Sequence, residues 1–331
     1  MTDTNESGKI GVVDIGSNSV KLLVLDGDAV VHRDSVVTRL GSGVNATGNL
    51  SDESMHATQL RLGEIRSTLD NHGVTNVHAV ATAAVRNAAN AAPFVEAAGH
   101  ALGCGVAVID GETEGNLSFL GAQRNLAVPS GSGLVTVIDI GGGSTEFAVG
   151  TPGTKPRVIS IPYGARNISE KILRNDPPRP EELTNAIGAV IDEVDDVMRD
   201  IPDLEGCDRL IGVAGTVVTI AMVELGLHTY DASVLHGMTL SRDASEDVFR
   251  TLATESLADR VFNPGLPADR ADIIVGGCCV LVGILRKLQM SGLTVSTTSL
   301  ADGVALVARH GHSRLASGES LTRVLTDFFG Q

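Results

Sequence analysis

At 331 residues the chain is long enough for two domains, and its 43% hydrophobic against 20% charged residues describe packed cores rather than disorder. Lys and Arg number 25 against 40 Asp and Glu, a net charge of −15, so the basic footprint that nucleic acid or an anionic membrane surface requires is missing. Glycine stands out at 38 residues, where about 7% is usual, and predicts many tight turns and close backbone approaches.

The polar, acidic start over residues 1–9 has no apolar segment and reads as a short lead-in, not a signal peptide. An apolar run then meets Asp14-Ile15-Gly16-Ser17-Asn18-Ser19 and resumes over residues 20–25, a hairpin with a glycine turn. Residues 51–71 predict a helix, with Met55, Leu62, Ile65 and Leu69 on one stripe and Gly73 as its stop. A strand is expected over residues 77–81. Arg86 follows as the only cation in the small-residue stretch 79–93, where it either clamps a phosphate or sits solvated on an Ala-rich helix.

A strand over residues 106–109 opens into a helix through Asp110-Gly111-Glu112-Thr113-Glu114-Gly115. Glu114 is the candidate general base, against the plainer reading of an acid complementing the helix dipole. Pro129-Ser130-Gly131-Ser132-Gly133 is the expected hinge. Directly after it the first motif returns as Val137-Ile138-Asp139-Ile140-Gly141-Gly142-Gly143-Ser144, followed by Glu146 where the first copy has Lys21. Successive amides in such a turn form an anion-binding nest without net positive charge, and Asp14 and Asp139 stand where a carboxylate reaches a hydrated Mg²⁺. As isolated features they read first as turn-stabilising Asx caps, and the duplication reverses that preference toward function.

Further along, a strand is expected over residues 158–161, an amphipathic helix over 180–200, and a strand over 210–213 that runs into Gly215-Thr216 before another helix. Arg166 and Arg270 carry the same two readings as Arg86. Residues 273–285 form the longest apolar run, too short to span a bilayer and read as a buried core helix. The nine histidines show no metal-binding pairing, and the four cysteines show neither a zinc nor a disulfide spacing, which suits a reducing cytoplasm.

Together, the motifs at residues 14–19, 82–90, 111–121, 139–146, 164–166, 213–216 and 265–272 resemble the Ppx/GppA phosphatases, which are exopolyphosphatases and guanosine pentaphosphate phosphohydrolases. The resemblance covers residues 9–309. It implies an α/β fold of two duplicated actin-like (ribonuclease H-like) ATPase lobes with an interdomain cleft, at residues 9–128 and 129–311, with a C-terminal segment 312–331 packing back on the first lobe. It further implies Glu114 as the catalytic residue activating water, Asp14, Asp139 and Glu146 as metal ligands, and Ser17, Asn18, Arg86, Gly141, Gly142, Gly143 and Ser144 as phosphate-binding residues.

The expected activity is Mg²⁺-dependent (or other divalent-ion) release of the terminal phosphate of inorganic polyphosphate, with stimulation by a monovalent ion. Guanosine pentaphosphate hydrolysis, or sensing of phosphate or alarmone without turnover, are the alternatives. A cytoplasmic homodimer without nucleic-acid or membrane partners is expected. Two departures from the family pattern stand out: Thr113 replaces the first of its paired glutamates, and Ser296-Thr297-Thr298-Ser299-Leu300 replaces a Ser-Glu pattern before Asp302-Gly303. The chain also stops at Gln331 without the extra C-terminal domains of longer members, which points to short polyphosphates.

Overall fold

A computed structural model of the chain describes residues 8–126 and 133–329. They divide into two compact units, the residues up to Asp110 together with Val304–Phe328, and Gly111–Gly303. Each unit is built on one sheet. In the first, β1 (Ile10–Ile15), β2 (Ser19–Asp26) and β3 (Ala29–Val37) form an antiparallel meander. On the other side of β1, β4 (Asn76–Ala81) and β5 (Val106–Val108) add in parallel, giving the order β3-β2-β1-β4-β5.

The second unit repeats the plan. Strands β6 (Val135–Ile140), β7 (Thr145–Gly150) and β8 (Arg157–Ile161) form the meander, and β9 (Arg209–Val213) and β11 (Gly292–Val295) take the places of β4 and β5. A short β10 (Thr239–Ser241) caps the edge antiparallel to β11. Numbered within each unit, the first sheet has the 3-2-1-4-5 order of the ribonuclease H-like, actin-like lobe, and the second has it once the short edge strand β10 is set aside. The repeated Asp-Ile-Gly motif is therefore the visible part of a duplicated sheet.

Every residue of β1 and of β6 is buried, as expected for central strands covered on both faces. In the first unit the Asp52–Asn71 helix, capped by Ser51 through the Ser54 amide, seats Leu62, Ile65 and Leu69 against Val13, Ile15, Val20 and Leu22. Met55, expected on the same stripe, is only partly buried at the margin of that core. In the second unit Ile138, Ile140, Phe147 and Val149 face the Pro180–Asp200, Ala214–Leu225 and Ile274–Lys287 helices. Alternation sends Val135, Val137, Ala148, Ile211 and Val213 to the opposite face, where Phe119 and Ala122 of the Gly111–Ala122 helix cover them. Asp139 and Glu146 continue that second face, so the packing itself aims both carboxylates at the Gly111–Ala122 helix.

The division falls elsewhere than the expected lobe limits of 9–128 and 129–311. Because the Gly111–Ala122 helix packs on β6, β7 and β8, it belongs to the second unit, and the boundary precedes it. The expected hinge residues 129–132 lie outside the described residues, as does the lead-in up to residue 7. Val304–Phe328 belongs with the first unit, where Asn76 Nδ2 lies 3.1 Å from His312 Nδ1. The Ala-rich stretch 79–93 is not one helix but the end of β4, a four-residue Ala83–Arg86 turn of helix and the start of Ala91–Leu102. Cys104, Cys207, Cys278 and Cys279 are free, and burial pushes the Cys278 thiol up to about 12, so it is inert at neutral pH. No helix among the described residues is long and apolar enough to cross a membrane.

His78 on β4 is partly buried, and its Nε2 is sequestered without a hydrogen-bond partner. Burial first, and then the neighbouring His312, hold its pKa below the usual 6.5. The folded protein keeps this imidazole neutral while the unfolded chain protonates it, so its contribution to stability is complete above about pH 6.5 and is lost as the pH falls through the lowered folded value. The urea midpoint should therefore drop between about pH 7.5 and about pH 5.5, and drop less in His78→Gln. Equal pH slopes in the two proteins would show that another group carries the effect.

Candidate functional site

In the second unit the β6–β7 connection is the turn 141–144, closed by the Gly141 amide donating to Ser144 O at 3.0 Å. The amides of Ala165 and Arg166 donate to the carbonyls of Gly141 and Gly142, both at 2.9 Å, and Asn167 Nδ2 donates to Gly143 O. All three glycine carbonyls are thus taken by the start of the Ala165–Lys171 helix. The amides of Gly142, Gly143 and Ser144 meet no acceptor among the described residues. A turn whose carbonyls are consumed on one side and whose amides are unclaimed is a nest for an anion. Gly164 permits the arrangement, because a Cβ there would lie 2.7 Å from Gly141 O and from the Gly142 carbonyl group.

The same turn is flanked by Asp139 and Glu146, direct partners across the β6–β7 ladder and buried to 7% and 1% exposure. Ser118 Oγ donates to Asp139 Oδ2 at 2.6 Å, and Ser160 Oγ on β8 donates to Glu146 Oε1 at 2.7 Å. The Gly111–Ala122 helix reaches this face through two glycines. A Cβ on Gly111 would lie 2.6 Å from Ser160 Cβ, and one on Gly115 would overlap Val158 and stand 3.5 Å from Glu146 Cβ.

Glu114 lies one turn before Ser118 on that helix and is 8% exposed. Glu112, in the same first turn, is exposed and pairs with Lys155 at 2.9 Å. Of the two acids in the first turn of the helix, Glu114 is the buried one. Among the described residues no three His, Cys, Asp or Glu side chains gather closely enough to enclose a metal alone. A pair of carboxylates is still the donor set that suits Mg²⁺, which takes one or two from the protein and completes its shell with water and phosphate oxygens.

The first unit carries the matching half of the duplication with one change of charge. Asp14 opposes Lys21 in the register where Asp139 opposes Glu146, and Lys21 Nζ binds Asp14 Oδ2 at 2.9 Å. Asp14 is 2% exposed, and its Oδ1 is buried with no hydrogen-bond partner. An orphaned carboxylate oxygen of this kind fits a cation ligand. The Gly16 amide closes the turn on Ser19 O at 3.0 Å, while Ser17 O accepts from Gly41 N at 2.7 Å and Asn18 O accepts from the amides of Thr38 and Arg39, both at 3.0 Å. Ser17 Oγ accepts from the Ala84 amide at 3.1 Å, which ties the turn to the short helix bearing Arg86. Arg86 is itself anchored, Nη1 donating to Ile109 O at 2.7 Å, and is not a freely solvated arginine.

The structure therefore assembles Asp14, Ser17, Asn18 and the Arg86 segment in one unit, and Glu114, Asp139, Gly141, Gly142, Gly143, Ser144 and Glu146 in the other. Sequence reading missed Ser118, Ser160, Gly41 and the backing role of Gly164. The two glycines had a signal, since each follows the third strand of its sheet, and a Cβ on Gly41 would lie 3.0 Å from Ser17 Cβ and O. A third loop at the carboxyl end of β9 is also distinctive. Ala214 holds a φ of 70°, a strained value for a residue with a side chain, and the Arg270 guanidinium lies where a Gly215 Cβ would be. Burial lowers the Arg270 pKa against the opposing influence of Asp269 and Asp272. Arg166 is buried with Glu170 Oε1 at 3.4 Å and Asp272 Oδ2 at 4.0 Å, so it takes part in ion pairs inside the unit.

A family profile described as the Ppx/GppA phosphatase family matches residues 12–312. Exopolyphosphatase 2 of Mycobacterium tuberculosis is 32% identical over 321 residues, covering 90% of this chain and 98% of that protein. A Vibrio atlanticus guanosine-5'-triphosphate,3'-diphosphate pyrophosphatase is 27% identical over 309 residues, covering 92% of this chain and 60% of the relative. Among solved structures, an exopolyphosphatase from Cytophaga hutchinsonii superposes with a TM-score of 0.81 at 28% identity, over 92% of this chain and 98% of that one.

Gly164→Ala tests the nest. The new methyl has only backbone to displace, so the variant should lose about 1–3 kcal/mol of stability in urea unfolding and bind inorganic phosphate more weakly. Unchanged stability and unchanged phosphate binding would mean that the turn adjusts and that its backing by residue 164 is incidental.

Proposed function

Because the chain belongs to the Ppx/GppA phosphatase family, we propose that it is an exopolyphosphatase that removes the terminal phosphate from short inorganic polyphosphates. The observation that carries this reading is the turn 141–144, with three unclaimed amides, flanked in sequence by Asp139 and Glu146 and approached by the helix that bears Glu114. The amides would hold phosphate oxygens, where the missing positive charge of the chain is replaced by oriented dipoles. Asp139 and Glu146 would hold Mg²⁺, with Asp14 as a further candidate through its orphaned Oδ1. Bound there, the ion would neutralise charge that develops on the transferred phosphoryl group.

Glu114 would accept the proton of the attacking water. That is the one proton transfer that hydrolysis of a phosphoanhydride requires from the protein, since the remaining catalysis is positioning and electrostatics. Ser17, Asn18 and Arg86 would contact phosphate in their own unit, where Ser17 and Arg86 are held in place by Ala84 and Ile109. A second reading, hydrolysis of guanosine pentaphosphate, is favoured by the Vibrio relative's name. The setting that completes the proposal is a cytoplasmic homodimer with no nucleic-acid partner, its activity stimulated by a monovalent ion.

Phosphate release should be measured with Mg²⁺ on short polyphosphate, long polyphosphate and guanosine pentaphosphate side by side. The wild-type chain should favour short polyphosphate, and Glu114→Gln should lose about 100-fold or more in kcat while still binding substrate. Preference for guanosine pentaphosphate would select the second reading. Binding without release from any of the three would make the chain a sensor.

A further inference from the structure

The carboxylate pair of the second unit raises a question that the first unit answers differently. Asp139 and Glu146 are direct partners on one face of an antiparallel ladder, and like charges placed opposite one another repel. In the first unit the same register holds Asp14 and Lys21, and the lysine cancels the charge at 2.9 Å. In the second unit each carboxylate accepts from a neutral hydroxyl, Ser118 Oγ on Asp139 Oδ2 at 2.6 Å and Ser160 Oγ on Glu146 Oε1 at 2.7 Å.

We infer that Ser118 and Ser160 are positioning residues that hold Asp139 and Glu146 oriented for a divalent cation. The inference rests on the proposed reading of that pair as the metal ligands. A serine is suited to the task in a way that lysine or arginine is not. It fixes the rotation of a carboxylate through one oxygen and adds no positive charge of its own. The two donors come from different elements, Ser118 from the Gly111–Ala122 helix and Ser160 from β8, so each carboxylate is steered from its own side.

The glycines explain how both donors arrive. Gly111, Gly115 and Ser118 fall at four- and three-residue spacing on one stripe of the helix. The absence of side chains at 111 and 115 lets that stripe settle on Ser160, Val158 and Glu146. Glu114 is carried on the flank of the same stripe, so the packing that delivers Ser118 to Asp139 also seats the proposed base.

The test is direct binding of Mn²⁺, followed by its electron paramagnetic resonance signal, to the full chain in the absence of any phosphate compound. Asp139→Asn and Glu146→Gln should abolish binding. Ser118→Ala and Ser160→Ala should each weaken it by about 10–100-fold, with circular dichroism and melting unchanged. Ser160→Thr, which restores the hydroxyl at an exposed strand position, should bind Mn²⁺ like the wild type. Wild-type affinity in both alanine variants, with binding lost in Asp139→Asn, would overturn the assignment of the serines and leave the metal ligands standing. Loss in Ser160→Thr equal to that in Ser160→Ala would overturn it as well, because packing and not the hydrogen bond would then be responsible. A wild-type chain that binds no Mn²⁺ would remove the underlying reading of the carboxylate pair together with the inference.

Discussion

Two carboxylates stand opposite each other on neighbouring antiparallel strands, and much of the second unit can be understood as what it takes to keep them there. Asp139 and Glu146 are nearly sealed from solvent, and burying ionised groups is costly unless each finds a partner. Serine hydroxyls satisfy one oxygen of each carboxylate and bring no charge of their own. Bringing a helix close enough to supply one of those hydroxyls requires a helix surface with almost no side chains, and Gly111 and Gly115 provide it. The small apolar cluster of Phe119, Ala122, Val135, Val137 and Ala148 then clamps the remainder of the helix to the sheet. Charge, packing and glycine placement are three aspects of one arrangement.

The first unit shows what the same scaffold does when that constraint is relaxed. Its hairpin keeps the aspartate, the turn and the glycine that follows the third strand, but Lys21 occupies the position of Glu146 and closes on Asp14. The turn carbonyls are consumed in both units, by residues 38–41 in one and by residues 165–167 in the other. What the duplication preserved is therefore the backbone device, in which carbonyls are tied down behind the turn. What it let diverge is the charge of the side chain across the ladder. Asp14 retains an oxygen without a hydrogen-bond partner, so even the relaxed copy is not fully satisfied by its own lysine.

Much of this was legible in the sequence because it is written locally. The hairpin motif, the capped stripe of the Asp52–Asn71 helix and the proline-led Pro180–Asp200 helix each carry their signal within a few residues. Strands β3, β10 and β11 were not foreseen. The first is a partly exposed edge strand whose mixed pattern Val30 to Val37 alternates poorly, and the other two are only three and four residues long. The domain limit was misplaced for a related reason. A Pro/Ser/Gly stretch looks like a linker, but the unit to which the Gly111–Ala122 helix belongs is decided by which sheet its glycines allow it to touch. Ser118 and Ser160 were invisible since a serine has no distinctive spacing, and only the register of β7 against β8 puts Ser160 opposite Glu146.

The net charge of −15 looks at first incompatible with a polyanionic ligand. Surface charges act over roughly the Debye length, about 8 Å at physiological ionic strength, so the wider acidic surface chiefly slows encounter and contributes little inside a buried site. In the turn 141–144 the donors are the backbone amides of Gly142, Gly143 and Ser144, whose strength depends on orientation and not on formal charge. Under the proposed reading, such a turn would attract phosphate when it is held open and a bound cation offsets the carboxylates beside it. Under the proposed reading, specificity for a metal-bound phosphate follows from the same feature that the composition seemed to forbid: a protein with few cations of its own must take the ligand together with one.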